Sequence, residues 1–390
     1  MRELLQKTFE NAFNETHYKE LIRNLFNRFD FSKEHTLRHQ FNEAEKQALN
    51  DFIYLGTFED SQNKSLDVLI TALKGGSKVE RARSLQRNLI GKYLKSNLKD
   101  SALVAFYSKD NPDWRLSFVK MDYRLDERGV KVEIGTPPKR YSFLVGGTEP
   151  SHTAQKQLLP LLDDKKIPAV DEIEKSFSIE KVTKEFYTEI AKKFTELVGG
   201  ERKIGSKKII EAGFLKYPKP SDILRKEFAV RLIGRLLFCW FLKKKKSDAG
   251  VSLIPNVILS SDAIRQYPDY YHSLLEPLFF QVLNTPIEKR NKNVRHNFWN
   301  SIPFLNGGLF EPHLHDYHEI YYESGISKYI NTLKIPDEWF LDLFKIFEIY
   351  NFTIDESTTI DVDISVDPEM LGRIFENLLA EINPETGETA

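Results

Sequence analysis

The chain has 390 residues, 41% hydrophobic and 29% charged, with 28 Phe, 16 Tyr and a formal net charge of −1. That length exceeds one ordinary core, so two or three domains are expected, and the apolar share excludes a disordered chain. The lone Cys239 excludes an internal disulfide and a thiolate metal cluster, while a polar start and the lack of a long apolar run exclude a secretory signal and a membrane span, so a cytoplasmic protein without a membrane partner is expected.

The first elements read as helices, because Leu4, Leu5, Phe9 and Phe13, then Tyr18, Leu21, Ile22, Leu25 and Phe26, recur at helical spacing. A third helix is expected over residues 42–52. The period then shortens, and residues 53–60 and 66–74 read as two strands joined by a turn at 61–64, with Gly75, Gly76 and Ser77 ending the second. Residues 78–97 form a helix, and strands are expected at 102–107, 114–123, 130–134 and 141–145.

Beyond Gly146 and Gly147 the pattern turns helical, over 154–162, 170–177 and 180–198. Residues 199–219, rich in Gly, Lys and Pro, read as an exposed connection. Leu224, Phe228, Leu232, Leu236 and Phe241 then mark a core helix closed by Lys243 to Lys246. The expected division is an α/β module at 1–150, a helical connector at 151–220 and a helical domain at 221–390.

Charge is uneven: residues 201–246 carry net +10 and residues 311–390 net −14. These stretches read either as a nucleic-acid footprint or as solvated faces, and Lys243 to Lys246 also complement the C-terminal end of a helix dipole. Candidate DNA contacts are Arg83, Arg87, Arg115 and Arg140 in the first module and Lys207, Lys208, Lys243 and Lys244 in the basic stretch. His313, His315 and His318 lie close together, but without a cysteine they read as a surface cluster, and no metal site is expected there.

Hairpin, helix, strand is also the core order of the PD-(D/E)XK nucleases, which this module resembles. In that fold an Asp on one strand and an acid two places before a Lys on the next hold a Mg²⁺ ion, since residues two apart share a strand face. Lys74 is in place, but its partner position is Ala72, and Asp67 falls on the opposite face. Glu59 and Asp60 remain as candidate acids, with Gln86 and Tyr93 resembling a supporting motif. The expectation is a mixed sheet with flanking helices that has lost its metal site; the alternative is a live endonuclease using Glu59 or Asp60 with Lys74 and Mg²⁺.

Three stretches resemble Type IIG-like restriction-modification proteins, which fuse an adenine-specific DNA methyltransferase to amino-terminal modules. They are Glu80, Arg81, Arg83, Gln86 and Arg87 leading to Trp114 to Phe118 and Arg140 to Gly146; Pro303 to Glu311, with Asn306, Gly307 and Gly308; and Val366 to Glu376. The resemblance implies a complete protein that transfers a methyl group from S-adenosylmethionine to an adenine flipped out of double-stranded DNA. The methyl-donor loop and the Asn-Pro-Pro-Tyr motif of such proteins are absent, since Asn111-Pro112 and Asn383-Pro384 continue differently. The chain is therefore expected to be a non-catalytic amino-terminal portion, shortened or from a split gene, with no cofactor of its own and with the methyltransferase and target-recognition domains as its missing partners. A regulatory interaction module that never touches nucleic acid is the other class of reading.

Overall fold

The computed structural model describes the chain except residues 38–40, 75–78, 80–81, 126–130, 134–135, 164–165, 205–206, 246–250, 296, 306, 322, 355–357 and 381–390. Two compact units emerge: residues 1–182 with 349–351 and 357–366, and residues 183–348 with 352–356 and 367–390. Gly75 to Ser77, Glu80, Arg81, Lys246, Asn306, Asn383 and Pro384, all used in the sequence reading, lie outside the described residues.

The first unit runs α1 (Arg2–Phe9), α2 (Glu15–Phe26), β1 (His35–Thr36), α3 (Glu43–Ala48), β2 (Leu49–Glu59), β3 (Ser65–Leu73), α4 (Arg83–Asn97), β4 (Ser101–Ser108), β5 (Asp113–Lys120), β6 (Tyr123–Leu125), β7 (Lys131–Glu133), β8 (Lys139–Gly146), α5 (His152–Asp163) and α6 (Val170–Lys175), with α7 (Ile179–Val198) leading out of it. Its sheet has the order β1-β2-β3-β4-β5-β8-β11, where β11 is Asp361–Asp363. Strands β2 and β3 form the expected antiparallel hairpin, and α4 carries the chain over to β4, parallel to β3. A helix in that crossover is what parallel neighbours require.

Strand β3 is buried at every position, as a central strand covered on both faces must be. One face packs Leu69, Leu73, Val104 and Phe106 against Leu89, Ile90, Tyr93 and Leu94 of α4. On α1, α2 and the turn between them, Phe9, Phe13 and Tyr18 pack around Trp114, and Phe13 stacks on Tyr107 at 4.3 Å. The third helix is shorter than expected. It ends at Ala48, closed at its start by an Asn42–Glu45 capping box, so residues 49–52 belong to β2.

The second unit contains β9 (Gly199–Ile204), β10 (Lys207–Ala212), α8 (Asp222–Lys244), α9 (Ser261–Gln266), α10 (Asp337–Ile349) and α11 (Pro368–Ala380). The stretch read as an exposed connection contains the antiparallel β9–β10 hairpin. Lys207-Lys208-Ile209-Ile210 has no period-two alternation, so the pattern did not reveal it. Helix α8 is the expected core helix, and buried Cys239 lies on it. It meets α11 so closely that a Cβ at Gly234 would strike the Phe375 ring. Among the described residues no helix is long and apolar enough to cross a membrane.

Candidate functional site

The β2–β3 hairpin separates the residues proposed to share a metal. Glu59 pairs with Ser65 beside the turn, whereas Lys74 follows Leu73 at the far end. Nine residues of extended chain place the two ends ~30 Å apart. Asp60 serves the turn: its Oδ1 accepts the N–H of Gln62 at 2.8 Å and of Lys64 at 3.0 Å, and its Oδ2 that of Val170 at 3.0 Å. Burial raises its pKa, but these three donors bring it below the ordinary value.

The hairpin instead puts a different carboxylate near Lys74. Asp51 pairs with Ala72, and directly paired residues share a face, which Lys74, two places on from Ala72, also takes. Sequence reasoning missed Asp51 because it assigned that residue to a helix; the signal was the aromatic and β-branched run from Phe52 to Leu55. Tyr107 pairs with Ala72 from the other side, its phenol pushed up by burial and then by Asp51 and Glu15. Asp67 lies on the opposite face, fully buried, accepting Tyr93 Oη–H at 2.7 Å and Thr57 Oγ1–H at 2.6 Å, with Lys99 Nζ at 3.5 Å. Gln86 is also fully buried and donates to the Val79 carbonyl at 2.9 Å. Among the described residues no three His, Cys, Asp or Glu side chains are grouped to hold a metal ion.

All four arginines nominated in this module converge on β11. Arg83 and Arg87, one turn apart on α4, reach Asp363 and Asp361 respectively, the second at 3.7 Å. Arg115 Nη1 lies 2.5 Å from Asp363 Oδ1, and Arg140 Nε donates to Asp361 Oδ1 at 2.9 Å while its Nη2 lies 3.3 Å from Asp363. Arg115 and Arg140 are 1% and 0% exposed. Four guanidinium groups thus surround two carboxylates. Burial alone would raise the Asp363 pKa, but Arg115, Arg140 and Arg83 bring it down to about 2. Ser142 Oγ accepts from Arg140 and shares a 2.6 Å hydrogen bond with Ser117, so the polar interior is knit together.

The basic stretch divides. Lys207 and Lys208 lie on β10, with side chains outside the described residues. Lys243 turns inward: its Nζ donates to the Leu259 carbonyl at 2.7 Å and sits 4.1 Å from the centre of the Trp240 ring, and burial lowers its pKa to about 8. Lys244 is half-buried in the last turn of α8.

The three histidines are not one cluster. The His313 N–H caps onto Asp316, the His315 carbonyl accepts from Tyr217, and His318 Nδ1 meets Glu276 Oε1 at 2.7 Å while its ring stacks on Phe280 at 4.5 Å. The other oxygen of Glu276 meets His272 Nδ1 at 2.5 Å, and His272 Nε2 meets the Leu333 carbonyl at 2.7 Å. Nearby, buried Asp316 takes Arg231 at 2.8 Å and Arg235 at 2.7 Å. These arginines, which interrupt the apolar run of α8, are its tie to the following loop.

Asn111 and Pro112 occupy the turn between β4 and β5, and Asp113 after them accepts the N–H groups of Thr148 at 2.8 Å and Glu149 at 3.2 Å. Trp114 is buried in the sheet. The residues that follow this Asn-Pro pair are thus committed to a turn and a core.

Residues 227–363 match a family described as Domain of unknown function (DUF7814). Over 226 residues, 52% of this chain, the sequence is 30% identical to a Methanocaldococcus jannaschii protein named "Putative type II restriction enzyme and methyltransferase". The match covers 17% of that protein, so the chain spans about a sixth of the length of the curated relative it matches. No solved structure matches. The chain is thus related by sequence, over half its length, to one segment of a protein with a restriction-modification name.

Proposed function

We propose that the chain is a non-catalytic support region of a Type IIG-like, adenine-specific DNA methyltransferase of a restriction-modification system, and that its first unit is a nuclease-like frame without a working metal site. The observation that carries this reading is Ala72, set opposite Asp51 and two places before Lys74. The β2–β3 hairpin followed by α4 and parallel β4 supports the nuclease-like reading, in which one acid of the expected pair is replaced by a methyl group. A Mg²⁺ ion held through a single carboxylate at that position lacks the ligands for two-acid catalysis. The similarity to the restriction-modification protein supports the system, while methyl transfer and base recognition belong to parts of such a protein outside this chain.

In this reading Arg83, Arg87, Arg115 and Arg140 hold the fold together rather than contact DNA. Their inward turn also favours a second reading, an interaction module whose partners are proteins. A salt series separates the two, because phosphate contacts release counterions and binding then weakens steeply with salt. The purified chain is expected to bind duplex DNA with such a slope and to show no S-adenosylmethionine binding in equilibrium dialysis. Failure to bind DNA at low salt would leave the interaction module; retained S-adenosylmethionine would defeat the support reading.

A further inference from the structure

We infer that His272, Glu276 and His318 of the second unit form a proton-operated latch: one proton more than a neutral imidazole and an ionised carboxylate would hold ties the π-helical segments Tyr271–Leu275 and Pro277–Leu283 to the turn at 328–333, and its loss with rising pH breaks the tie at Leu333. The latch does not depend on the nuclease or methyltransferase readings, since it stands on other residues.

The count of hydrogen-bond partners carries the inference. His272 Nδ1 lies 2.5 Å from Glu276 Oε2, and its Nε2 lies 2.7 Å from the Leu333 carbonyl. A carbonyl only accepts, so Nε2 carries a proton, and an ionised carboxylate only accepts, so Nδ1 must carry another. A neutral imidazole has a single N–H. The second proton sits on His272 or has crossed the short contact to Glu276, and in both cases the pair holds two protons rather than one. His318 supplies its own: Nδ1 meets the other Glu276 oxygen at 2.7 Å while its ring stacks on Phe280 at 4.5 Å, which ties the loop around His318 to the same segments.

His272 and Glu276 are buried, so water does not replace a lost partner. The other groups that bear on them are Asp269, itself paired with Lys334 Nζ at 2.8 Å, and the Tyr271 phenol, which also feels Asp316, Arg231 and Arg235. Burial lowers the His272 pKa, but Glu276, the Leu333 carbonyl and Asp269 raise it above the ordinary histidine value; burial raises that of Glu276, and the two imidazoles bring it below the ordinary one. When the extra proton leaves, the remaining N–H stays with the carboxylate, because a charge-assisted bond is the stronger of the two. Nε2 then turns a lone pair toward the Leu333 carbonyl, and a buried acceptor that loses its donor favours movement of the turn. Ser327 and Ile330, with His272 and Pro277, line a cavity of about 270 Å³, so the latch fixes one wall of it.

A pH titration of the full chain, followed by NMR of its histidine ring nitrogens and by amide exchange at residues 329–333, tests the proposal. The His272–Glu276 pair should hold two protons at neutral pH. Above the midpoint of His272, exchange at 329–333 should rise by about tenfold per pH unit beyond its intrinsic increase, the slope that one linked proton gives. His272→Gln sets a carboxamide N–H near the place of Nε2 with nothing to titrate, so the extra rise should vanish with the melting curve retained. Glu276→Gln removes the carboxylate charge and should move the His272 midpoint to lower pH. A singly protonated His272 beside an ionised Glu276 at neutral pH overturns the proposal, as does an extra rise that is missing from the unaltered chain or kept by His272→Gln. Should His272→Gln fail to fold, the ring-nitrogen titration of the unaltered chain decides alone.

Discussion

The two units both bury arginines, but they balance them differently. In the first, four guanidinium groups close on Asp361 and Asp363 of a strand that joins the sheet from far along the chain. In the second, Arg231 and Arg235 share Asp316, yet among the described residues Arg290 meets only backbone carbonyls. The difference separates two uses of charge. A cation matched to a buried carboxylate ties one element to another, whereas one set among carbonyls gathers the backbone of the loops around it.

The largest expected effect falls on the matched cluster. Asp363→Ala leaves Arg83, Arg115 and Arg140 facing one another, and breaking a buried ion network in this way costs about 3–5 kcal/mol. Denaturant unfolding followed by tryptophan fluorescence should show it; a loss below about 1 kcal/mol would mean that the cluster is not what holds β11. Asp316→Ala should cost roughly 3 kcal/mol by the same logic, read through α8 and its loop.

The two units should also part company in their response to pH. Asp363 has a depressed carboxyl pKa, so its contribution is whole above the unfolded value near 3.8 and is lost as pH falls toward about 2. His272 behaves in the opposite sense: burial lowers its pKa, but Glu276 and the Leu333 carbonyl raise it further, to a net value above 6.5. Its contribution is whole below 6.5 and is lost as pH rises through the raised value. Hydrogen exchange by segment should therefore show β8 and β11 loosening first in acid, and residues 271–283 loosening first in mild alkali. Simultaneous loosening of both at both extremes would collapse the distinction.

A smaller gain is expected from Ala72→Asp, which returns a carboxylate beside Asp51 and Lys74 and should raise Mn²⁺ binding above that of the unaltered chain. Smallest of all, Lys74→Ala and Glu59→Ala remove exposed side chains and should change stability by no more than ~0.5 kcal/mol.

Local pattern made much of this architecture readable. The apolar run from Leu66 to Leu73 and the helical stripe of α4 were legible because burial on one element leaves its period in the sequence. Asp51 was hidden because the helix formers before it run without a break into β2. Strand β11 was hidden for a different reason: Asp-Val-Asp has poor strand propensity, and only its partners on β8, more than two hundred residues earlier, explain it. The same distance concealed the arginines' partners, separated from them by 221 to 280 positions. Conspicuous cations therefore read as surface charge when their counter-ions lay outside any local window.

The claim at the centre of this account is that the hairpin site is chemically silent because Ala72 stands where an acid is needed. Incubating supercoiled plasmid with the purified chain and Mg²⁺ or Mn²⁺ tests it most directly. No nicking or linearisation above a no-protein control is predicted; cutting by the unaltered chain that Lys74→Ala abolishes would contradict it.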